Sequence, residues 1–196
     1  VKGLDPYAQL YADSRRWLME GWVDYFAPQL YWKIEQPGQS FAVLLTWWSM
    51  QNPLGRHLWP GLHTSKHTPV EIEYQARVTR GQAGAGGNLH FSAKSLLSGF
   101  PSDPKCLAGH LASTVYNEYA LTPASPWLAS APPPAPIDLH LTSQGVSWQA
   151  SAGAAPFVYG VQWFDRDRWR HVVVPGARTE WPLPEHVPVA AVTAVD

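Results

Sequence analysis

The apolar, aromatic run at residues 21–32 (GWVDYFAPQLYW) most constrains the fold of this chain. A run of this kind after an amphipathic stretch is typical of a buried parallel strand that leads into a loop. Pro28 cannot donate to a sheet ladder, so regular pairing should end there. Gln29, Tyr31 and Trp32 would then follow the carboxyl end of the strand, where α/β proteins build their sites. An amide, a phenol and an indole suit a sugar ligand, although the same residues could simply pack the strand end.

The composition narrows the classes of partner. The chain has 196 residues, a net charge of −1 and only 15% charged residues, which argues against nucleic acid or an anionic membrane as a partner. No run approaches the roughly 18 apolar residues of a membrane span, so none is expected. The single cysteine, Cys106, allows no intrachain disulfide. The 11 tryptophans are typical of carbohydrate-handling proteins, although core packing would also account for them.

Helical and strand patterns alternate along the first part of the chain. An Asp-Pro helix start at residue 5 and the capping box Thr68-Pro69-Val70-Glu71 are the clearest start signals. Alternation of this kind indicates parallel β/α units. Three such strands form either a small open sheet or the carboxyl-terminal part of a larger barrel, and we favour the barrel because a buried-type strand would otherwise lie at an edge. The predicted helices cover residues 6–20, 40–51, 69–80 and 104–118, and strands at 57–62 and 88–92 follow the first one.

The composition changes after Trp127. Residues 131–136 form a stiff, proline-rich linker, and no helical period follows it. The spacing of the later strands predicts a small antiparallel sandwich with Trp148 and Trp163 in its core, about one strand short of seven. These strands are predicted at residues 137–141, 146–150, 157–165, 168–174 and 189–195.

Two motifs look like ligand sites but have simpler explanations. The glycine-rich residues 81–87 follow a helix and precede a strand, whereas a dinucleotide fingerprint needs the reverse order, so we expect no nucleotide cofactor. His63 and His67 are four residues apart, but they precede the helix start and lack an adjacent third ligand, so we expect no metal site. His63 alone, just past a strand end, could still contact a ligand. Cys106 lies within a predicted helix and is expected to pack there.

Glycoside hydrolysis usually requires two carboxylates, one on each side of the scissile bond. Asp24 lies near the start of its strand and on the face opposite Gln29, which favours a structural role. Glu35 lies in the loop beyond Trp32 and is the candidate catalytic residue within this chain. The two do not make a convincing pair, so the catalytic residues stay unknown.

Several spaced motifs together resemble the glycoside-hydrolase-like family 10 proteins of bacteria. The first is the pattern WLxxGWVDxxxPQxYW at residues 17–32. It is followed in order by LxWW at residues 45–48, Gly61-Leu62, Phe91-Ser92 and YxxYALxP at residues 116–123, so the resemblance covers about residues 5–128. The resemblance implies that residues 1–130 are the carboxyl-terminal part of a (β/α)8 TIM barrel, with strands six to eight. It also implies that residues 137–196 are a fibronectin type III-like sandwich whose last strand is truncated.

The first strand is also similar to the sixth strand of family 18 chitinases. That pattern has an Asp, then a Met and a Tyr that face the bound sugar, and the methionine position is Gln29 here. The likeness implies that Gln29 and Tyr31 line the subsite of the cleaved sugar, with Phe91 beside it. We therefore expect the substrate-binding residues to be Gln29, Tyr31, Trp32, His63, Phe91 and Ser92.

The family carries an Asp-rich motif on a middle strand, upstream of everything present here, as the expected source of the catalytic acid. We therefore expect a fragment of an extracytoplasmic glycoside hydrolase that acts on peptidoglycan glycan strands or an amino-sugar exopolysaccharide. Its partners would be that polysaccharide and the N-terminal part of the same barrel. Two alternatives stay open: a non-catalytic carbohydrate-binding or cell-envelope scaffold protein, and a last domain that binds another protein.

Overall fold

A computed structural model of the chain describes residues 4–98, 105–118, 120, 123–128, 131–153 and 156–195. The chain forms two compact units, Val1–Asn117 and Glu118–Asp196. The first unit mixes helices with short parallel strands, and the regular elements among the described residues of the second unit are all strands. The helices are α1 (Pro6–Leu10), α2 (Ser14–Met19), α3 (Phe41–Met50), α4 (Pro69–Gly81), α5 (Ala93–Leu97) and α6 (Leu107–Ser113). The strands are β1 (Tyr25–Phe26), β2 (His57–Leu58), β3 (Gly61–Leu62), β4 (Leu89–His90), β5 (Ile137–Leu141), β6 (Gly145–Gln149), β7 (Val158–Asp165), β8 (Arg168–Pro175), β9 (Glu180–Pro182) and β10 (Ala190–Val195).

The single helix predicted over residues 6–20 is wrong, because the chain breaks into α1 and α2. Asp5 caps α1 as predicted, accepting hydrogen bonds from the amides of Tyr7 and Ala8. Tyr11 then adopts a left-handed conformation with a φ of 54°, which ends the helix. The Asp13 carboxylate accepts from the Arg16 amide and starts α2. A second aspartate cap within an otherwise helical pattern was the signal for this break.

The helices α3 and α4 begin where the capping residues predict. The Ser40 hydroxyl accepts from the Val43 amide at the start of α3, and the Thr68 hydroxyl accepts from the Glu71 amide at the start of α4. Pro69 occupies the first turn of α4, where its missing N–H removes no helical hydrogen bond.

The strands of the first unit lie side by side and run parallel. β1 pairs with β2, and β3 pairs with β4. The regular pairing of β1 ends at Phe26, before Pro28 as expected, and an isolated bridge between Gln29 and Gly61 follows it. Residues 57–62, which contain β2 and β3 with Pro60 between them, thus lie between β1 on one side and β4 on the other. The predicted order of parallel β/α units is confirmed for these strands.

The helices cover one face of these strands. Leu30, Leu58 and Leu62 point to this face and are 3%, 0% and 0% exposed. They share a core with residues of α3, α4 and α6, namely Phe41, Leu45, Ile72, Ala76, Leu107 and Leu111. Because side chains alternate along a strand, the neighbouring residues point to the opposite face. That face carries Tyr25, Gln29, Tyr31, His57, Trp59, His63, Leu89 and Phe91.

The glycine-rich segment connects α4 to β4, in the order that excluded a dinucleotide fingerprint. Its glycines allow a close approach to Trp59. A Cβ atom on Gly87 would lie 3.1 Å from Cδ1 and 3.3 Å from Nε1 of the Trp59 indole. The indole also stacks against Tyr25, with ring centroids 5.1 Å apart. The segment therefore packs against an aromatic ring, which accounts for glycine at residue 87.

The long last helix predicted at residues 104–118 is shorter in the structure. Its Asp103-Pro104 start lies outside the described residues. α6 begins after Cys106, whose Sγ accepts from the Gly109 amide, so the cysteine caps the helix and does not pack within it as predicted. A further short helix, α5, directly follows Ser92 and was not predicted.

The second unit has two three-stranded antiparallel sheets, in the orders β5-β6-β9 and β10-β7-β8. All five predicted strands are present, within one residue at each end. The short strand β9 was missed because Pro182 and its small length hide the pattern. Trp148 is buried in the core against Tyr159, with ring centroids 5.2 Å apart, and Trp163 packs at its margin.

None of the helices within the described ranges is long and apolar enough to cross a bilayer.

Candidate functional site

Three rings meet at the carboxyl ends of the parallel strands. The Tyr31 ring stacks against Phe91, with centroids 5.6 Å apart and planes inclined by 29°. His63 meets both rings nearly at right angles, with centroids 4.9 Å from Tyr31 and 5.7 Å from Phe91. We call Tyr31, His63 and Phe91 the ring cluster. The structure thus brings together three of the six residues expected to bind substrate.

The strand register places these rings. His63 directly follows β3, and Phe91 directly follows β4. The Phe91 amide donates to the Leu62 carbonyl at 2.8 Å, and the Thr64 amide donates to the Phe91 carbonyl at 3.0 Å. On the other side the Leu30 amide donates to the Gly61 carbonyl at 3.2 Å, immediately before Tyr31. Each ring therefore extends from the end of its strand, on the face away from the helices.

The Tyr31 ring lies directly over Gly61. A Cβ atom at Gly61 would lie 3.3 Å from Cε1 of Tyr31, so a larger residue would push against the ring. Burial raises the pKa of the Tyr31 phenol above its usual value. A tyrosine phenol is protonated at neutral pH even at its ordinary pKa, so Tyr31 has an O–H to donate. Phe91 is 54% exposed, which leaves ring surface open to a ligand.

The other three predicted substrate-binding residues, Gln29, Trp32 and Ser92, lie within two residues of Tyr31 or Phe91 in the chain. The Gln29 side chain is exposed on the same face, one position before the Leu30 amide. Trp32 is half-buried next to Tyr31. Ser92 precedes α5, and the peptide bond that joins it to Phe91 is cis. Glu35 is exposed in the turn before α3, which is not the buried environment of a glycosidase acid.

Three side chains hold the backbone of the loop at residues 31–34, and the sequence analysis did not give them this role. His67 Nε2 donates to the Tyr31 carbonyl at 3.2 Å, and Gln75 Nε2 donates to the Trp32 carbonyl at 3.1 Å. Glu71 Oε1 accepts from the Ile34 amide at 2.8 Å and from Gln75 Nε2 at 3.0 Å. His67, which the sequence predicted only to precede the helix start, is therefore a backbone contact of the site. A polar Gln75 within the buried stripe of α4 was the available signal.

His90 supports the strand end from the opposite face. Its Nε2 lies 2.9 Å from the Tyr116 hydroxyl, and the two rings meet edge to face. Burial lowers the pKa of His90 and raises that of Tyr116, so both groups are neutral at pH 7. His90 lies directly before the motif residue Phe91, and Tyr116 begins the last motif. The pair was not recognised from the sequence, because a single histidine in a strand carries no pattern.

The described part of the chain contains no group of three or more His, Cys, Asp or Glu side chains arranged to hold a metal ion.

The ring cluster and Gln29 together offer aromatic faces, a protonated phenol and an exposed amide. Such groups stack on sugar rings and form hydrogen bonds with hydroxyl or acetamido groups.

Comparison with known proteins agrees with this chemistry. Residues 5–77 match the family described as Glycosyl hydrolase-like 10. The chain is 34% identical over 146 residues to glycosyl hydrolase YngK of Bacillus subtilis (strain 168), a match that covers 68% of this chain and 28% of that protein. It is 37% identical over 75 residues to glycosyl hydrolase DigH of Escherichia coli (strain K12), which covers 37% of this chain and 17% of that protein. The chain thus spans less than a third of the length of these curated relatives.

Proposed function

Because the chain belongs to the glycosyl hydrolase-like 10 family, we propose that it is part of a glycoside hydrolase and that its ring cluster contacts the polysaccharide. The observation that carries the proposal is the meeting of Tyr31, His63 and Phe91 at the ends of neighbouring parallel strands. In β/α proteins this edge of the sheet is where substrates bind.

Each site residue has a proposed role. Phe91 and Trp32 stack on sugar rings, while Gln29 and the Tyr31 phenol form hydrogen bonds with hydroxyl or acetamido groups. His63 and Ser92 add polar contacts at the rim. The protonated phenol of Tyr31 suits the role of donor to a sugar oxygen.

We propose that the first unit is the carboxyl-terminal part of a (β/α)8 barrel. Its support is the strand face opposite the helices, where Tyr25 and Leu89 are 54% and 43% exposed. A barrel would enclose that face within its interior. The N-terminal part of the same barrel is then the partner, and it holds the catalytic acid. Glu35 is retained only as a candidate within this chain.

Within the second unit, residues 137–196 are proposed to be a fibronectin type III-like module after a linker at residues 131–136. Its support is the pair of three-stranded antiparallel sheets. The proposed substrate is a bacterial polysaccharide, either peptidoglycan glycan strands or an amino-sugar exopolysaccharide, and the proposed location is outside the cytoplasm.

A non-catalytic carbohydrate-binding or envelope scaffold protein is the second candidate. One feature of the ring cluster favours this non-catalytic candidate: the cluster consists of two aromatic rings and an imidazole and includes no carboxylate. The two candidates agree on binding and differ on cleavage.

The test uses a protein that carries the whole barrel, assayed on peptidoglycan glycan strands by product analysis. The hydrolase proposal predicts cleaved glycan, and it predicts that Tyr31→Phe and Trp32→Ala reduce kcat/KM. Binding without any cleaved product would support the second candidate. Unchanged kinetics in both variants would refute the site assignment.

A further inference from the structure

We propose that His67, Glu71 and Gln75 form a clamp that positions the loop at residues 31–34 for ligand binding. The ligand part of this inference rests on the proposed function, whereas the clamp itself can be tested without any ligand. None of the three side chains belongs to the expected set of substrate-binding residues.

The clamp acts on the main chain of the loop. Its bonds reach the carbonyls of Tyr31 and Trp32 and the amide of Ile34. Bonds to backbone groups fix the path of the chain whatever the loop side chains do. Because Tyr31 and Trp32 are the residues that would contact sugar, the clamp sets the place from which those side chains extend.

Glu71 contributes a charged acceptor to this arrangement. In a capping box the acid three residues after the cap is expected to bond back to the cap residue's own amide. Here Thr68 caps the Glu71 amide as expected, while Glu71 Oε1 accepts from Ile34 and Gln75. The motif residue therefore connects the first turn of α4 to the site loop.

Gln75 shows that the arrangement is more than packing. Its side chain is fully buried, and its amide group donates to both Trp32 and Glu71. Its Oε1 atom has no hydrogen-bond partner among the described residues, which is unfavourable for a buried acceptor. A leucine of similar size would fill the space without that cost, so the polar side chain here serves the loop.

The direct experiment is amide hydrogen exchange of the 196-residue chain, read at the Ile34 amide. Glu71→Leu removes the acceptor of this amide and should speed its exchange by about tenfold or more, as expected for loss of a hydrogen bond to a charged group. Glu71→Gln keeps an oxygen acceptor and should restore most of the protection. Glu73→Gln is the control on the same helix: Glu73 bonds to Arg77 and His110 and not to the loop, so this variant lowers stability without removing the acceptor of the Ile34 amide, and its effect on Ile34 exchange measures the part due to stability alone. Unchanged exchange at Ile34 in Glu71→Leu would overturn the clamp.

Gln75→Leu separates positioning from stability and provides a second variant if Glu71→Leu does not fold. We expect its Tm to stay equal or rise while exchange within residues 32–34 becomes faster. A lower Tm with an unchanged exchange rate in the loop would assign Gln75 a purely structural role and overturn the proposal for that residue.

A glycan arm completes the test, with chitooligosaccharide as the probe. If the wild-type chain binds it, Gln75→Leu should weaken binding by about tenfold through loss of preorganisation, and unchanged affinity would overturn the positioning role. If the wild-type chain binds no glycan, the proposal that this chain carries a carbohydrate site fails. The exchange rate of the Ile34 amide then still shows whether the clamp exists.

Discussion

Tyr31 and Phe91 lie far apart in the sequence but stack with ring centroids 5.6 Å apart at the ends of parallel strands. The strand between them supplies Gly61 beneath Tyr31 and His63 beside both rings. The site is therefore a product of strand register, and changes to the register or to the rings should affect ligand binding in distinguishable ways.

Removing one ring should weaken carbohydrate binding. We expect Phe91→Ala to reduce affinity by about 10- to 100-fold, because burial of one aromatic ring contributes about 1.5–3 kcal/mol. Isothermal titration with an amino-sugar oligosaccharide measures the change. Trp22→Ala is the control, since Trp22 is exposed and outside the ring cluster. Equal losses in both variants would show that the effect is not specific to the cluster.

Enlarging Gly61 should displace Tyr31 without unfolding the protein. An added Cβ would lie 3.3 Å from Tyr31 Cε1 and 3.4 Å from the Pro28 carbonyl, a tight contact on both sides. We expect Gly61→Ala to lower glycan affinity several-fold and to shift the NMR signals of Tyr31. Gly81→Ala is the matched control, because its Cβ would meet nothing within 4 Å. If Gly61→Ala leaves both the affinity and the Tyr31 signals unchanged, the ring is not held as described.

The hydrogen bonds of Glu73, which connect α4 to His110 of α6, should make the first unit sensitive to acid. Hydrogen bonds from Arg77 and His110 lower the pKa of Glu73 below its usual 4.5. Because the pKa of Glu73 is lower in the folded than in the unfolded protein, the ionised carboxylate stabilises the fold at pH values above the unfolded-state pKa. This stabilisation is lost as the pH falls through the folded-state pKa. We therefore expect Glu73→Gln to lower the urea midpoint at pH 7, with a difference that shrinks below about pH 4.5.

The control for Glu73 is Glu20→Gln, which removes an exposed contact with Arg16 at 3.9 Å. Exposed pairs contribute little, so this variant should leave the midpoint nearly unchanged. If the difference in urea midpoint between the wild type and Glu73→Gln grows at low pH, the ionised carboxylate of Glu73 is not the form that stabilises the protein.

The chain alone should cleave no glycan, because the catalytic acid is expected in the N-terminal part of the barrel. Reducing-sugar release from peptidoglycan by the purified 196-residue chain measures this. Activity that persists through purification and is abolished by Glu35→Gln would overturn this expectation and assign catalysis to the chain itself.

Local signals in the sequence were sufficient for much of the fold. Proline and hydroxyl or carboxylate caps placed the starts of α1, α3 and α4, and alternation placed the strands of both units. The break after Tyr11 was missed because its left-handed conformation depends on one residue's backbone and not on a periodic pattern. Strand β9 was missed because it is only three residues long.

The site was predictable only in part. Tyr31 and His63 could be named because each lies just past a strand end that the pattern reveals, whereas Phe91 was named through the resemblance to chitinases. The roles of His67, Glu71 and Gln75 could not be named, because their contacts join a helix to a loop about forty residues away and depend on tertiary packing. A capping-box glutamate looks the same in sequence whether it bonds within its helix or to a neighbouring loop.

The most direct test is an NMR titration of the 196-residue chain with peptidoglycan-derived oligosaccharides, followed through backbone amide and aromatic signals. If the strand ends form the carbohydrate site, the shifts will be saturable and centred on Tyr31, Trp32, His63 and Phe91, with none of comparable size for a glucose oligomer that lacks acetamido groups. Saturable binding centred elsewhere, or none at these residues, would contradict the assignment of the strand ends as a carbohydrate site.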